Sequence, residues 1–220
     1  MKKTFFKKII ASSFISLFLL QILYFAIEPT IVVAQDAVDT GGVDVTLNVT
    51  AGITISGGGV ATMLPNISMT NDRALGSSSW TVSTNNQQGY DLAVVASTTP
   101  ALTSAGASDN FIDYTEATSG VPETWLSPAV GAKEFGFTVY GADANSLVKY
   151  GSPANCGTAA APSGKYEGFS YTTPMIIASS SVFTPVAGNV TNICFAAQQN
   201  QVYAKSGAYT ATITATATTK

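Results

Sequence analysis

Histidine is absent from all 220 residues. That absence removes the commonest general base, the commonest metal-ligating side chain and the Ser-His and Cys-His forms of nucleophilic catalysis. Charge is scarce as well. Asp, Glu, Lys and Arg make up 10% of the chain, against about a quarter in ordinary soluble domains. Beyond residue 34 only six basic side chains remain against twelve acidic ones. Those six are scattered singly, so no basic stripe can follow a phosphate backbone, and nucleic acid is set aside as a partner. Cysteine occurs twice, too few to make a soft metal site without His to help. No stretch beyond the N-terminal segment shows a convincing helical period.

Neutral hydroxyls take the place of charge: there are 22 Ser and 28 Thr. Residues 1–34 read as a targeting segment. Lys2, Lys3, Lys7 and Lys8 form a positive head, an apolar run extends from Ile9 to Ile27, Pro29 breaks it, and Val32-Val33-Ala34 offers small residues for cleavage. The rival is a retained membrane helix, since about 19 residues nearly span a hydrocarbon core. Removing this segment would shift the net charge from −3 to about −6. No Cys sits just after the apolar run, which argues against a lipid anchor. In an exported chain the pair Cys156 and Cys194 is expected to form a disulfide. Residues 35–42 read as a flexible leader.

From there the pattern has period two. Val43, Val45, Leu47, Val49, Ala51, Ile53 and Ile55 alternate with Asp44, Thr46, Asn48, Thr50, Gly52 and Thr54. That predicts one long strand over 43–55, bent near Gly52 and stopped by Gly57-Gly58-Gly59. Trp80–Val82 and Tyr90–Val94 follow, joined by the hairpin-type residues 85–89. Further strands are expected at 135–139, 168–171 and 193–197, with Tyr209–Thr218 as a closing strand bearing a Thr ladder. The predicted fold is all-β: a single antiparallel two-sheet sandwich over 43–220, immunoglobulin-like or Greek-key in type, with 97–133 and 141–182 as long loop insertions.

Several patterns invite a chemical reading. Ser146-x-x-Lys149, Ser108-Asp109-Asn110 and Lys205-Ser206-Gly207 mimic the three motifs of penicillin-recognising enzymes, but in the wrong order and with no helical domain. Glu116, Glu123 and Glu134 could supply a glycosidase pair only if the fold set two of them about 5–9 Å apart. Asp109, Asp113 and Glu116 offer oxygen ligands without a calcium-loop spacing. No cofactor, no metal and no catalytic residue is expected. Three Asn-x-Ser/Thr triplets begin at Asn48, Asn66 and Asn189, and so short a motif recurs by chance. Trp80, alternating with Val82, is assigned to the core. Trp125, Tyr114 and Tyr150 fall outside alternating runs and are candidate surface-binding aromatics.

Leu64–Val82, with its Asp72-Arg73 turn, Gly76 and Trp80-x-Val82, resembles the first motif region of WxL-type cell-wall surface domains. The end, Gly207-Ala-Tyr209 followed by alternating Thr, is similar to that family's closing strand. Val82 stands where the family has Leu, and Ala215 falls near the place of the second Trp. The resemblance implies a secreted β-rich domain held non-covalently at a cell surface. The resulting expectation is a non-enzymatic bacterial protein, secreted or displayed, with a structural or adhesive role in the cell envelope. Its partner would be an envelope polymer or a neighbouring surface protein. The alternatives are a pilin-like subunit whose terminal strands pair with a neighbour's sheet edge, and a secreted hydrolase acting through carboxylates.

Overall fold

The computed structural model describes residues 46–220, Ser146 excepted. The targeting segment, the leader and Val43–Val45 lie outside the described residues. Val49–Lys220 form a compact unit of their own, and Thr46–Asn48 fall outside it.

That unit is a β-sandwich. In chain order its first strands are β1 (Ile53–Gly57), β2 (Arg73–Thr84), β3 (Tyr90–Ala96), β4 (Leu102–Ser104), β5 (Asp109–Asp113) and β6 (Glu123–Thr124). Then come β7 (Lys133–Tyr140), the one-turn α1 (Ala142–Asn145), β8 (Lys165–Tyr166), β9 (Met175–Ser180), β10 (Asn189–Gln199) and β11 (Ile213–Thr219). The large sheet runs β1-β2-β10-β7-β5-β4 and the small one β11-β3-β9, while β6 and β8 pair separately. Every strand pair is antiparallel except β5 with β7.

Register explains the core. Phe195 of β10 faces Gly76 on one side and Phe137 on the other, so alternate residues of three strands share one face. Trp80, Val82, Phe135, Phe137, Val139, Ile193, Phe195 and Ala197 meet Tyr90, Leu92, Val94 and Ile177 of the small sheet. Phe169 joins them from a loop, stacked on Phe137 with ring centres 4.4 Å apart.

The opposite face of the large sheet is also covered. Tyr114, Trp125, Tyr166 and Ala196 make a second buried cluster there, with Trp125 stacked on Tyr114 at 4.7 Å and edge-on to Tyr166 at 5.1 Å. Gly136 permits this. A Cβ at that position would sit 2.7 Å from Tyr114 Cβ and 2.9 Å from the Glu167 carbonyl, closer than carbon atoms pack.

The structure corrects several expected elements. The long strand over 43–55 is absent from residues 46–52, and only Ile53–Gly57 pairs. Residues 85–89 are not a hairpin: they carry the chain from β2 in the large sheet to β3 in the small one. Residues 168–171 form no strand, because Glu167 bridges Phe137 and the chain then turns inward to bury Phe169. The closing strand starts at Ile213, with Thr210 making only an isolated bridge to Thr103. The segments 97–133 and 141–182 hold β4, β5 and β9, which extend both sheets, as well as the outer cover.

Cys156 and Cys194 are joined in a disulfide across 38 residues, pinning the 150–167 cover to the outer face of β10. Closing a loop of that length removes disorder from the unfolded chain. The Cys156→Ser/Cys194→Ser double variant is expected to lose about 3 kcal/mol, read as a lowered urea midpoint. An unchanged midpoint would mean that the cross-link adds nothing to the stability of the fold.

Candidate partner-binding cleft

The expected site residues fall into two groups, neither of them a surface platform. Trp125 is 7% exposed, Tyr114 4% and Tyr150 1%. They are therefore not surface-binding aromatics: Trp125 and Tyr114 cover the outer face of the large sheet, and Tyr150 packs in the main core near Phe137. Tyr150 donates to the buried carboxylate of Glu167, which Lys149 also reaches at 2.9 Å. Burial, reinforced by Glu167, pushes the Tyr150 phenol well above its ordinary value. Burial likewise takes Tyr114 up to about 12, and its hydroxyl donates to Glu123 at 3.1 Å.

Asp72, Arg73 and Trp125 converge on a residue that the pattern did not single out, Gln198. Its Oε1 accepts from Trp125 Nε1 at 2.7 Å and from Arg73 Nε and Nη2 at 2.9 and 2.8 Å. Its Nε2 donates to Asp72 and Ser127. Arg73 Nη1 also donates to the carbonyl of Ala159 at 3.0 Å, gripping the loop that the disulfide tethers. This is a satisfied structural network, with no polar group of Gln198 left for a ligand.

The acidic residues are spread over separate contacts. Glu116 accepts from the Gly168 N–H, Glu123 from Tyr114 and the Ala117 N–H, and Asp113 from Thr99 and the Ala101 N–H. Asp109 is the most engaged. Lys133, the Tyr209 hydroxyl and the Lys205 N–H all donate to it, so it ties β5 to the loop leading into β11. Burial pushes its carboxyl up, but these hydrogen bonds and one from the Asn110 N–H outweigh it and hold the group below its ordinary 3.8. Burial and the Asp109 carboxylate raise Tyr209 to about 12, keeping it a donor. Lys205 Nζ also reaches the Ser108 carbonyl at 3.3 Å. Lys149 is held by Glu167 instead, and Ser146 lies outside the described residues.

The feature suited to a partner lies at one edge of the sandwich. Gly57, Gly58 and Gly59 have φ of +95°, +82° and +101°, a left-handed run open to glycine. They swing the chain off β2 just beyond the contact with Trp80. Between that departing segment and residues 203–213 a cleft of about 1270 Å³ opens, larger than the usual small-molecule pocket of roughly 300–1,000 Å³. Trp80, Phe195, Phe135, Phe111 and Leu102 line it, and among the described residues Lys205 is the one charged side chain on its walls. Gln199 ties the two walls together, donating through Nε2 to the Ser68 carbonyl and accepting at Oε1 from the Ala204 N–H, both at 2.8 Å. Among the described residues, the backbones of Gly59–Met63 on one wall and of Ala211 on the other make no hydrogen bond.

The Asp109 network makes a pH prediction. A carboxylate held below its ordinary pKa stabilises the fold above about pH 4 and loses that contribution as pH falls toward the lowered value. Asp109→Asn should cost about 2 kcal/mol at pH 7 and flatten the acid limb of a stability–pH curve below pH 4. An unaltered acid limb would refute the role given to this group. No protein-family model matches the chain, and no curated protein matches it.

Proposed function

We propose that this is an exported, non-enzymatic bacterial β-sandwich with a structural or adhesive role in the cell envelope, contacting its partner through the edge cleft. The observation that carries this reading is the cleft itself: apolar side chains at its base, almost no charge on its walls, and unpaired backbone along its rims. Such a surface suits an extended chain more than a compact solute, because main-chain groups supply affinity and alternate side chains supply specificity. The likeness to WxL-type surface domains supports the same reading. Its two stretches lie on the two sides of the cleft, with Leu64–Met69 leading into β2 on one and Gly207–Ile213 on the other.

The disulfide and the sequence support the proposed compartment. Disulfides persist outside the cytosol, and the chain opens with a basic head and an apolar run. A central sheet covered on both faces makes a rigid support for whatever the edge holds.

Fractionation of producing cells tests this. The protein should appear in the medium or be cleaved by protease added to intact cells, with both cysteines oxidised. A cytosolic protein with free thiols would overturn the assignment. Ala61→Asp with Ala211→Asp, which places charge on both cleft walls, should lower association with isolated envelopes at least tenfold in protein whose far-ultraviolet circular dichroism remains that of the folded sandwich, and undiminished association would overturn the cleft's role.

A further inference from the structure

We infer that the free edge of β11 pairs with the same edge of a second copy of this chain, antiparallel about a two-fold axis at Thr216, so that two small sheets join into one. The contact stands apart from the cleft, whose wall on this strand ends at Ile213.

The edge presents a defined set of unpaired groups. β11 is the last strand of the small sheet and pairs with β3 alone. The Ser97 N–H donates to the Thr212 carbonyl, whereas the Ala96 N–H turns the other way, to the Ser170 carbonyl. In an antiparallel ladder these directions alternate residue by residue. Thr212, Thr214, Thr216 and Thr218 therefore bond toward β3. The N–H and C=O of Ile213, Ala215, Ala217 and Thr219 point out of the sheet, where no described residue meets them.

Nothing blunts this edge. An edge strand that must stay single usually carries a charge, a Pro or a bulge that keeps other chains off. The opposite edge, β9, has such a break, its register against β3 shifting between Leu92 and Ala93. β11 instead pairs with β3 one residue for one from Ile213 to Thr219, and it contains neither charge nor Pro. Lys220, next in the chain, directs its amine onto Asp91 and Ser179 of its own sheet at 3.1 and 2.6 Å. β1, the edge strand of the other layer on this side, is uncharged as well.

The residue pattern selects a second copy as the occupant. Thr216 is the midpoint of Ile213–Thr219, and around it Thr-Ala-Thr-Ala-Thr reads the same in both directions. Pairing about Thr216 sets Ala215 opposite the second copy's Ala217 and Ile213 opposite its Thr219, so the outward N–H and C=O groups of all four residues find partners. The faces agree too. Thr214, Thr216 and Thr218 are exposed, while Ile213, Ala215 and Ala217 are half-buried against the core. Opposed residues share a face, so Thr meets Thr on the wet side, a favourable cross-strand pair, and Ala meets Ala on the other. A slip of one residue would set exposed Thr against half-buried Ala and outward groups against inward ones. A contact that uses the same patch on both copies closes at two.

Cysteine cross-linking of the purified full chain provides the test. The two native cysteines are joined to each other, so an introduced thiol is the only free one. At the axis, opposed residues of a non-hydrogen-bonded pair have Cα atoms about 4.5 Å apart, within disulfide range. Thr216→Cys should give a covalent dimer as the main product of mild oxidation. Thr214→Cys and Thr218→Cys, each two residues off the axis, should give at most a tenth of that yield. Thr216→Lys changes an exposed side chain, so its fold is not at stake, and it sets two like charges face to face. In sedimentation velocity it should weaken the wild-type dimer at least tenfold. A wild type that stays monomeric up to its solubility limit, or a Thr214→Cys variant that cross-links as readily as Thr216→Cys, would overturn the inference. Ala61→Asp/Ala211→Asp should dimerise like the wild type, so any loss of envelope association in that variant bears on the cleft alone.

Discussion

Strand β10 must be dry on both faces, and the rest of the molecule answers that requirement. From Ile193 to Gln199 every residue is buried. One face, Ile193, Phe195 and Ala197, is met by the small sheet. The other, Cys194, Ala196 and Gln198, needs its own cover, which the 114–128 and 150–167 loops supply. A buried amide such as Gln198 is tolerable only when its oxygen and nitrogen are bonded. Arg73, Trp125, Asp72 and Ser127 meet that demand, and in doing so they fix where the cover sits.

The middle of the sandwich is thus over-determined and its edge is left open. β1 and β11 are the edge strands of the two sheets on the same side, and their residues are mostly exposed or half-buried. Many proteins blunt such edges with charge, Pro or bulges. Here the outward positions of β11 are Thr, and the half-buried ones include Ala215 and Ala217. An edge of small residues beside a cleft lined with Trp80 and Phe195 leaves room for one more strand, which links the packing of the fold to the proposed role.

Much of the sandwich was legible because period two survives wherever one face is wet. β2, β3, β7 and β10 all contain their predicted cores. The cover was not legible. Gly136, Cys194 and Ala196 disguise a buried outer face as a run of small residues, so Trp125 and Tyr114 had no visible surface to cover and read as exposed. Gln198 falls just past the strand expected at 193–197, in a run Gln-Gln-Asn-Gln that carries no alternation. Residues 46–52 of the expected strand form no strand for a different reason. Alternation reports that a segment can lie on an apolar surface; it does not report which molecule supplies that surface. The cleft itself left only the Gly57–Gly59 run as a signal, and that reads equally well as a simple strand stop.

Amide hydrogen exchange, residue by residue at low protein concentration, tests this division most directly. The amides of Ile193–Gln199 should exchange only through global unfolding, and those of Gly59–Met63 and Ala211 should exchange within the fastest class of the folded chain. Rapid exchange along β10, or protection of the rim amides equal to that of β10 in the monomer, would contradict the picture of a doubly buried central strand beside an open edge.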